Sequence, residues 1–478
     1  MSKFDPKTQP QEYVADLIAQ SRVAQKVAEG YDQAMVDKLC AAIAWACVKA
    51  DVAEELAQLC FEETQMGNLD GKRGKLRIRP RGAWRDMKGK VSVGIIEEDQ
   101  AKGIVKYAKP IGVIGAIAPV TNPEVTPIVK AMSAIKGRNS IIVAPHPRSK
   151  KINAKTCEYM RAALKANGAP EDLIMYIPEP TMESTQELMK QADLVLATGG
   201  AGLVKEAYSS GRPAIGVGAG NAIVIIDETA DLNDATDKVV RSKIFDWATS
   251  CSADNNLIIV DKFYDEAMKQ LVAKGGYICT PAEKEALKKV MFTDYGRLDA
   301  KSGLAAASPT AIAEKAGFKL PEGKTFIMVE STYGESGAKE PFSGEKLSPV
   351  LNVYKYKEGK FKEAVAFLNE IHEWSGKGHS CCIHSFNQDH INYMVENTYT
   401  SRVMVRLPTS ASNSGNWFLG MPFTLTLGCG TWGGNSVSEN VTWRHLINTT
   451  WVAQPLPERI PTDLELFGEE IMKANPVK

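Results

Sequence analysis

Lys243-Ile-Phe-Asp-Trp-Ala-Thr-Ser-Cys-Ser-Ala-Asp-Asn-Asn-Leu-Ile-Ile-Val260 joins two stretches of different pattern. Its first residues close a predicted helix (Leu232 to Phe245), and its last form a predicted strand (Leu257 to Val260). Cys251 therefore falls on a short polar connection between buried elements. A cysteine so placed is a candidate nucleophile, because the thiolate is the reactive form and is favoured near backbone N–H groups or positive charge. By position alone, a lone cysteine reads more often as a small buried apolar residue.

Upstream of that stretch the chain alternates strand and helix. Strands are predicted at 111–117, 140–144, 173–177, 194–198 and 222–226, with helices at 124–136, 150–166, 182–191, 202–209 and 232–245. Such alternation implies a parallel sheet with right-handed crossovers, and ligands bind beyond the carboxyl ends of its strands. Those ends carry Pro119-Val-Thr-Asn-Pro123, Pro145-His-Pro-Arg148, Thr198-Gly-Gly-Ala-Gly202 and Gly216-Val-Gly-Ala-Gly-Asn221. The third leads into a helix, whose free N–H groups suit a phosphate. Gly428-Cys-Gly-Thr-Trp-Gly433 matches a dinucleotide fingerprint by letter, but no helix follows it, so it reads as a tight loop.

Downstream, a less regular α/β pattern predicts a second domain, with strands at 326–330, 350–354, 380–385 and 401–406. Residues 11 to 66 show helical spacing. Residues 70 to 90 break it: from Lys72 to Lys90 lysines and arginines crowd together with only Asp86 opposing, which by default is a solvated face. Residues 91–109 read as a hairpin, and 436–453 as an extended tail able to pair with it.

The 478 residues are too many for one core. Lys plus Arg and Asp plus Glu balance at 57 each, so no global field draws nucleic acid or an anionic membrane. The N-terminus lacks a signal-peptide core, and no apolar run is long enough to span a bilayer. Nine cysteines without regular spacing suggest reduced thiols and a cytoplasmic protein. Six histidines show no metal-binding spacing, and none is expected to hold a metal.

The four loops and Cys251, with Glu345-Lys-Leu-Ser-Pro-Val350, Gly378-His-Ser380 and Leu427 to Asn440, resemble the CoA-acylating aldehyde dehydrogenases, in particular the aldehyde domain of bifunctional aldehyde–alcohol dehydrogenases. The resemblance runs from about residue 11 to 453. It implies an α/β fold with a Rossmann-type coenzyme domain (1–90 and 110–245), a second α/β catalytic domain (246–434), a β-arm for oligomerisation (91–109 and 435–455) and a tail (456–478). The iron-dependent alcohol dehydrogenase half is expected to be absent.

The resemblance makes Cys251 the nucleophile and places His379 near the acyl site, although a satisfied histidine beside a buried strand fits the sequence as well. It places an oxyanion-stabilising asparagine at Asn122 or one residue from it. NAD or NADP would meet Pro119, Thr121, His146, Pro147, Arg148, Thr198, Gly199, Gly200, Gly218, Glu345 and Leu347, with Glu345 on the nicotinamide ribose. Arg148, Lys150 and Lys151, without an acid nearby in sequence, lean towards tolerating a 2′-phosphate. The stretch Ile215 to Asn221 lacks the glutamate that serves hydrolytic relatives as a base, which favours CoA over water as acyl acceptor. Arg77, Arg79, Arg81 and Arg85, with a second, polar wall at Ser410, Ser412 and Asn413, suggest a small aldehyde with an anionic end, unless these arginines hold CoA phosphates or face water. Resemblance to acylating enzymes for sulfoacetaldehyde implies that aldehyde in particular. The alternatives are acetaldehyde or propionaldehyde as substrate of an acylating enzyme, a hydrolytic enzyme, or a non-catalytic scaffold. A homo-oligomer, dimer or tetramer, is expected.

Overall fold

The structure, a computed structural model, describes residues 2–476. Four helices open it: α1 (Pro10–Ala28), α2 (Gln33–Val48), α3 (Ala50–Thr64) and α4 (Leu69–Met87). The Asp32 and Asn68 side chains cap α2 and α4 by accepting the N–H groups of Met35 and Gly71. Helix α4 is the basic run, where the sequence pattern predicts a break. Its inward face carries Leu76, Ala83 and Met87 into the apolar core, but also Lys72, Lys75 and Arg79, all buried, at positions where an ordinary amphipathic helix would place further apolar residues. Ion pairs and carbonyl contacts take the place of apolar burial at those three positions, which breaks the hydrophobic period of the helix.

The hairpin is β1 (Gly94–Asp99) and β2 (Ile104–Pro110). There follow β3 (Val113–Ile117), α5 (Thr126–Lys136), β4 (Ser140–Ala144), α6 (Lys150–Ala166), β5 (Ile174–Tyr176), α7 (Met182–Gln191), β6 (Leu194–Thr198), α8 (Ala201–Tyr208) and β7 (Ala214–Val217). The five strands form one parallel sheet, ordered β5-β4-β3-β6-β7. Strands β3 and β4 are buried at every position, because separate apolar cores pack on the two faces of the sheet.

The second half contains β8 (Ala222–Ile226), α9 (Leu232–Ile244), β9 (Asp254–Val260), α10 (Asp261–Ala273), β10 (Gly276–Ile278), α11 (Pro281–Met291), α12 (Pro309–Lys315), β11 (Phe326–Glu330), β12 (Val350–Tyr356), α13 (Phe361–Trp374), β13 (Cys381–His384), α14 (Gln388–Asn397) and β14 (Val403–Val405). Its seven strands are parallel in the order β10-β11-β12-β9-β8-β13-β14. Strand β8, expected in the first sheet, lies between β9 and β13. The chain thus changes sheet within Gly218–Asn221, and residues 222–245 belong with the catalytic half. Alternation predicts a parallel strand but does not say which sheet receives it. Cys381 and Cys382 point to opposite faces and enter different cores, as period-two geometry requires.

After the short α15 (Thr409–Ser412), β15 (Ile447–Ala453) pairs antiparallel with β2 and makes a three-stranded arm. The last helix, α16 (Asp463–Ala474), is exposed along its length. No described helix is long and apolar enough to cross a membrane.

Candidate active site

Between α9 and Cys251 the backbone makes an uncommon turn. Asp246, Trp247 and Ala248 all have positive φ, at 48°, 46° and 56°. A left-handed residue other than glycine costs roughly 1–2 kcal/mol, so neighbouring groups must hold the turn. Asn68 N–H donates to Asp246 Oδ1 at 2.8 Å, and Lys72 Nζ sits 3.0 Å from Oδ2. A Cβ on Gly67 or Gly71 would collide with Asp246, so only glycine lets the start of α4 come this close.

Cys251 leaves this turn facing His379, which precedes β13. The His379 Nε2 lies 3.2 Å from Cys251 Sγ, and Nδ1 lies 2.8 Å from Ser380 Oγ. Arg402 Nη2 donates to the carbonyls of His379 and Gly428, both at 2.9 Å. Gly220 closes the third side. A Cβ there would run into the Cys251 carbonyl and come within 2.9 Å of the His379 ring, and its N–H donates to Glu345 Oε1 at 3.1 Å. The structure therefore brings Cys251, His379 and Glu345 together around one glycine.

Burial, then the charges of Glu345 and Cys429, pushes the Cys251 thiol up to about 12. Burial, then Arg402 and His372, holds His379 well below the usual imidazole value. At neutral pH both groups are uncharged, and Nε2 is placed to take the proton from sulfur as attack begins. Burial also pushes Glu345 up to about 8.

The expected coenzyme residues form two groups. Thr198 Oγ1, at the end of β6, is buried without a partner among the described residues, and Gly200 precedes α8 with no side-chain cap. An orphan hydroxyl beside free helix N–H groups fits a phosphate. A Cβ at Gly200 or Gly218 would meet open space, whereas one at Gly199 would strike Leu203. Leu347, beside Glu345, has a positive φ of 40°. Pro119 and Thr121 are half-buried on the loop after β3. Asn122 is buried, and its Nδ2 makes only a 3.3 Å contact with Thr121 Oγ1.

His146, Pro147 and Arg148 are exposed, and the basic character expected there is largely engaged. Arg148 donates to the Thr64 carbonyl at 2.8 Å, and Lys150 pairs with Glu179 at 2.6 Å. Glu63 accepts the N–H groups of Lys151 and Ile152, both at 2.8 Å. The reading of a loop without acids is thus corrected: tertiary structure carries Glu63 and Glu179 to it from distant positions.

The four arginines do not share a face. Arg81 donates to the carbonyls of Arg77 and Val48, and Arg77 is exposed one turn before it. Helical geometry puts both opposite Lys75 and Arg79. Arg85 pairs with Asp86 and lies over the rings of Trp417 and Phe423. Only Arg79 is buried. It donates to the Ser414 and Gly415 carbonyls and has no carboxylate partner among the described residues. Burial lowers its guanidinium to about 10. On the same loop Ser410 Oγ, Ser412 Oγ and Asn413 Oδ1 are buried and unpartnered, as an unfilled polar site would be.

Sequence reading missed Arg402 and Asn440, which bind each other at 3.3 Å and connect His379 to the Asn413 carbonyl. It also missed Asn221, Asn256 and Asn352, a buried amide series that runs from the residue before β8 to β9 and β12. Asn221 and Asn440 each end a motif quoted above, whereas Arg402, Asn256 and Asn352 stood out only as polar residues in apolar surroundings.

Residues 79–280 match the aldehyde dehydrogenase family. An acylating sulfoacetaldehyde dehydrogenase from Bilophila wadsworthia is 43% identical over 458 residues, 95% of this chain and 98% of that one. The chain belongs to the aldehyde dehydrogenase family. An acetylating succinate-semialdehyde dehydrogenase from Clostridium kluyveri is 40% identical over 95% of this chain and 99% of its own. The crystal structure of an acetylating aldehyde dehydrogenase from Geobacillus thermoglucosidasius superposes with a TM-score of 0.90 at 35% identity, covering 96% of this chain and all of that one. Within the family this dehydrogenase is an NAD(P)-dependent acylating enzyme that converts an aldehyde to its acyl-CoA.

Proposed function

We propose that the substrate is a short aldehyde with an anionic end, sulfoacetaldehyde first, and that it is oxidised through a thioester on Cys251. The observation that carries this reading is Arg79, a buried guanidinium without a carboxylate, on the helix that packs against the 408–417 loop. An isolated buried charge is costly, and an anionic substrate would supply the missing partner. The two curated relatives described above act, by name, on sulfoacetaldehyde and succinate semialdehyde, each of which carries an anionic end.

In this reading Cys251 Sγ adds to the aldehyde carbon while His379 Nε2 takes the thiol proton. Asn122 Nδ2 and backbone N–H groups near Cys251 receive the oxyanion. Thr198 to Gly200, Gly218 and Glu345 would hold the coenzyme, which would supply the hydride acceptor. CoA then takes the acyl group from sulfur. No carboxylate lies within Ile215 to Asn221 to activate water, so steady turnover should require CoA. With Glu179 paired to Lys150, we expect NAD to serve at least as well as NADP. The nine free cysteines fit a cytoplasmic setting, and the unpaired outer edge of β15 fits assembly with a second copy.

The test is a panel of aldehydes with CoA and either coenzyme. A desolvated charge-assisted contact is worth about 1.5–3 kcal/mol, or about 10- to 150-fold. Sulfoacetaldehyde should therefore exceed acetaldehyde in kcat/KM by at least about tenfold. Arg79→Met should erase that ratio, whereas Arg77→Met and Arg81→Met should keep it. A better kcat/KM for acetaldehyde or propionaldehyde, or an unchanged ratio in Arg79→Met, would refute the anionic site.

A further inference from the structure

Four buried charges join the loops that carry the nucleophile and the proposed oxyanion donor. Lys72 and Lys75 come from α4. Asp246 lies in the left-handed turn that leads to Cys251, and Glu124 follows Asn122 by two residues. All four side chains are at most 3% exposed. Lys72 Nζ is 3.0 Å from Asp246 Oδ2; Lys75 Nζ binds the same oxygen and lies 3.8 Å from Glu124 Oε1. Cys60 Sγ, from α3, is 3.5 Å from Glu124 Oε2. The two positive and two negative charges balance, and the reaction as described uses none of them.

Both acids sit on stiff local structure. The Asn122 carbonyl accepts Thr126 N–H at 3.0 Å and Thr126 Oγ1 at 2.8 Å, so Glu124 and Asn122 share one closed turn. Thr249 N–H bonds the Asp246 carbonyl at 3.1 Å, and Ala253 N–H bonds that of Ser250 at 3.0 Å, so short turns connect Asp246 to Cys251. A displacement of Asp246 or Glu124 is therefore passed to its neighbour. In a dry interior such charges attract strongly and tolerate little separation.

We infer that Lys75, supported by Lys72, is a positioning residue. Placed between Asp246 and Glu124, it fixes the Cys251 turn relative to the Asn122 loop, and with it the distance from nucleophile to oxyanion donor. A second consequence is that the left-handed turn persists without glycine, because Asp246 is held by two ammonium groups and the Asn68 N–H. The inference rests on Cys251 and Asn122 in the roles given above.

Lys75→Met, Lys75→Arg, Glu124→Gln, Asn122→Ala and the double variant Asn122→Ala/Lys75→Met test it in the full chain. Lys75→Met and Glu124→Gln should each lower kcat at least tenfold, leaving KM for the aldehyde and coenzyme affinity within about threefold; Lys75→Arg should recover most of the loss. Since Lys75 would act through Asn122, Lys75→Met should cost less than threefold more in the Asn122→Ala background. Glu124→Gln leaves both lysines on Asp246, so it carries the test if Lys75→Met fails to fold. A lower melting temperature with kcat per folded site unchanged, or full additivity with Asn122→Ala, would overturn the inference. Turnover by Cys251→Ala would instead overturn the site on which it rests.

Discussion

Cys251 and His379 rest as a neutral pair, and that state has measurable consequences. Cys251→Ala should abolish aldehyde oxidation and leave coenzyme binding intact, because only the covalent step is lost. Cys429 is buried beside Arg402 with its Sγ turned to the Leu427 carbonyl, so Cys429→Ala should keep most of the activity. The reverse pattern in steady-state assays would exchange their roles. A thiol pushed to about 12 beside an imidazole held low also sets a pH profile. Below that value the thiolate fraction grows about tenfold per pH unit. Alkylation of Cys251 by iodoacetamide in the coenzyme-free enzyme should climb without a plateau to pH 10. A plateau beginning near pH 7 would mean that an ion pair forms in the empty site.

Short connections, more than whole helices or strands, assemble the site. Gly220 lies where the chain crosses from one sheet to the other, and Gly378, at φ 88°, lets the Cys429 loop pack against the backbone just before His379. A methyl group at Gly220 must displace the Cys251 carbonyl or the His379 ring. Misplacing reacting groups by about 1 Å can cost about 100-fold, so Gly220→Ala should lose at least that in kcat while circular dichroism stays unchanged. A kcat within threefold of the parent would show that the two connections yield more easily than their packing suggests. The glycine-rich run was visible in the sequence. Which glycine touches the nucleophile was not, because the contact joins residues 31 and 159 positions apart.

For the whole molecule, the arm is the feature that looks outward. The three strands are ordered β1-β2-β15, so the outer edge of β15 is unpaired among the described residues, and Trp451 on it is exposed. Exposed edges invite pairing. Light scattering should give at least twice the chain mass, and Trp451→Lys should weaken the association without changing kcat per site if the arm is the contact. A monomer in dilute solution would count against assembly through β15.

Local pattern and tertiary contact divide the account between them. Strands such as β4 and β6, and helices such as α6, α7 and α11, were legible from periodicity and turn residues, because their burial follows a regular spacing. The parallel α/β class and the hairpin and tail of the arm were legible for the same reason, and motifs singled out Cys251, which the structure sets against His379. The helix at α4, the move of β8 to the second sheet, the Glu179 partner of Lys150 and the choice of Arg79 among four arginines were decided by tertiary structure alone. Each depends on charges or strands brought together from far apart in the chain: Asp246 lies 174 residues from Lys72 and 171 from Lys75. Such long-range pairing leaves no period in a sequence, since the partner that makes a lysine an inward residue belongs to another element.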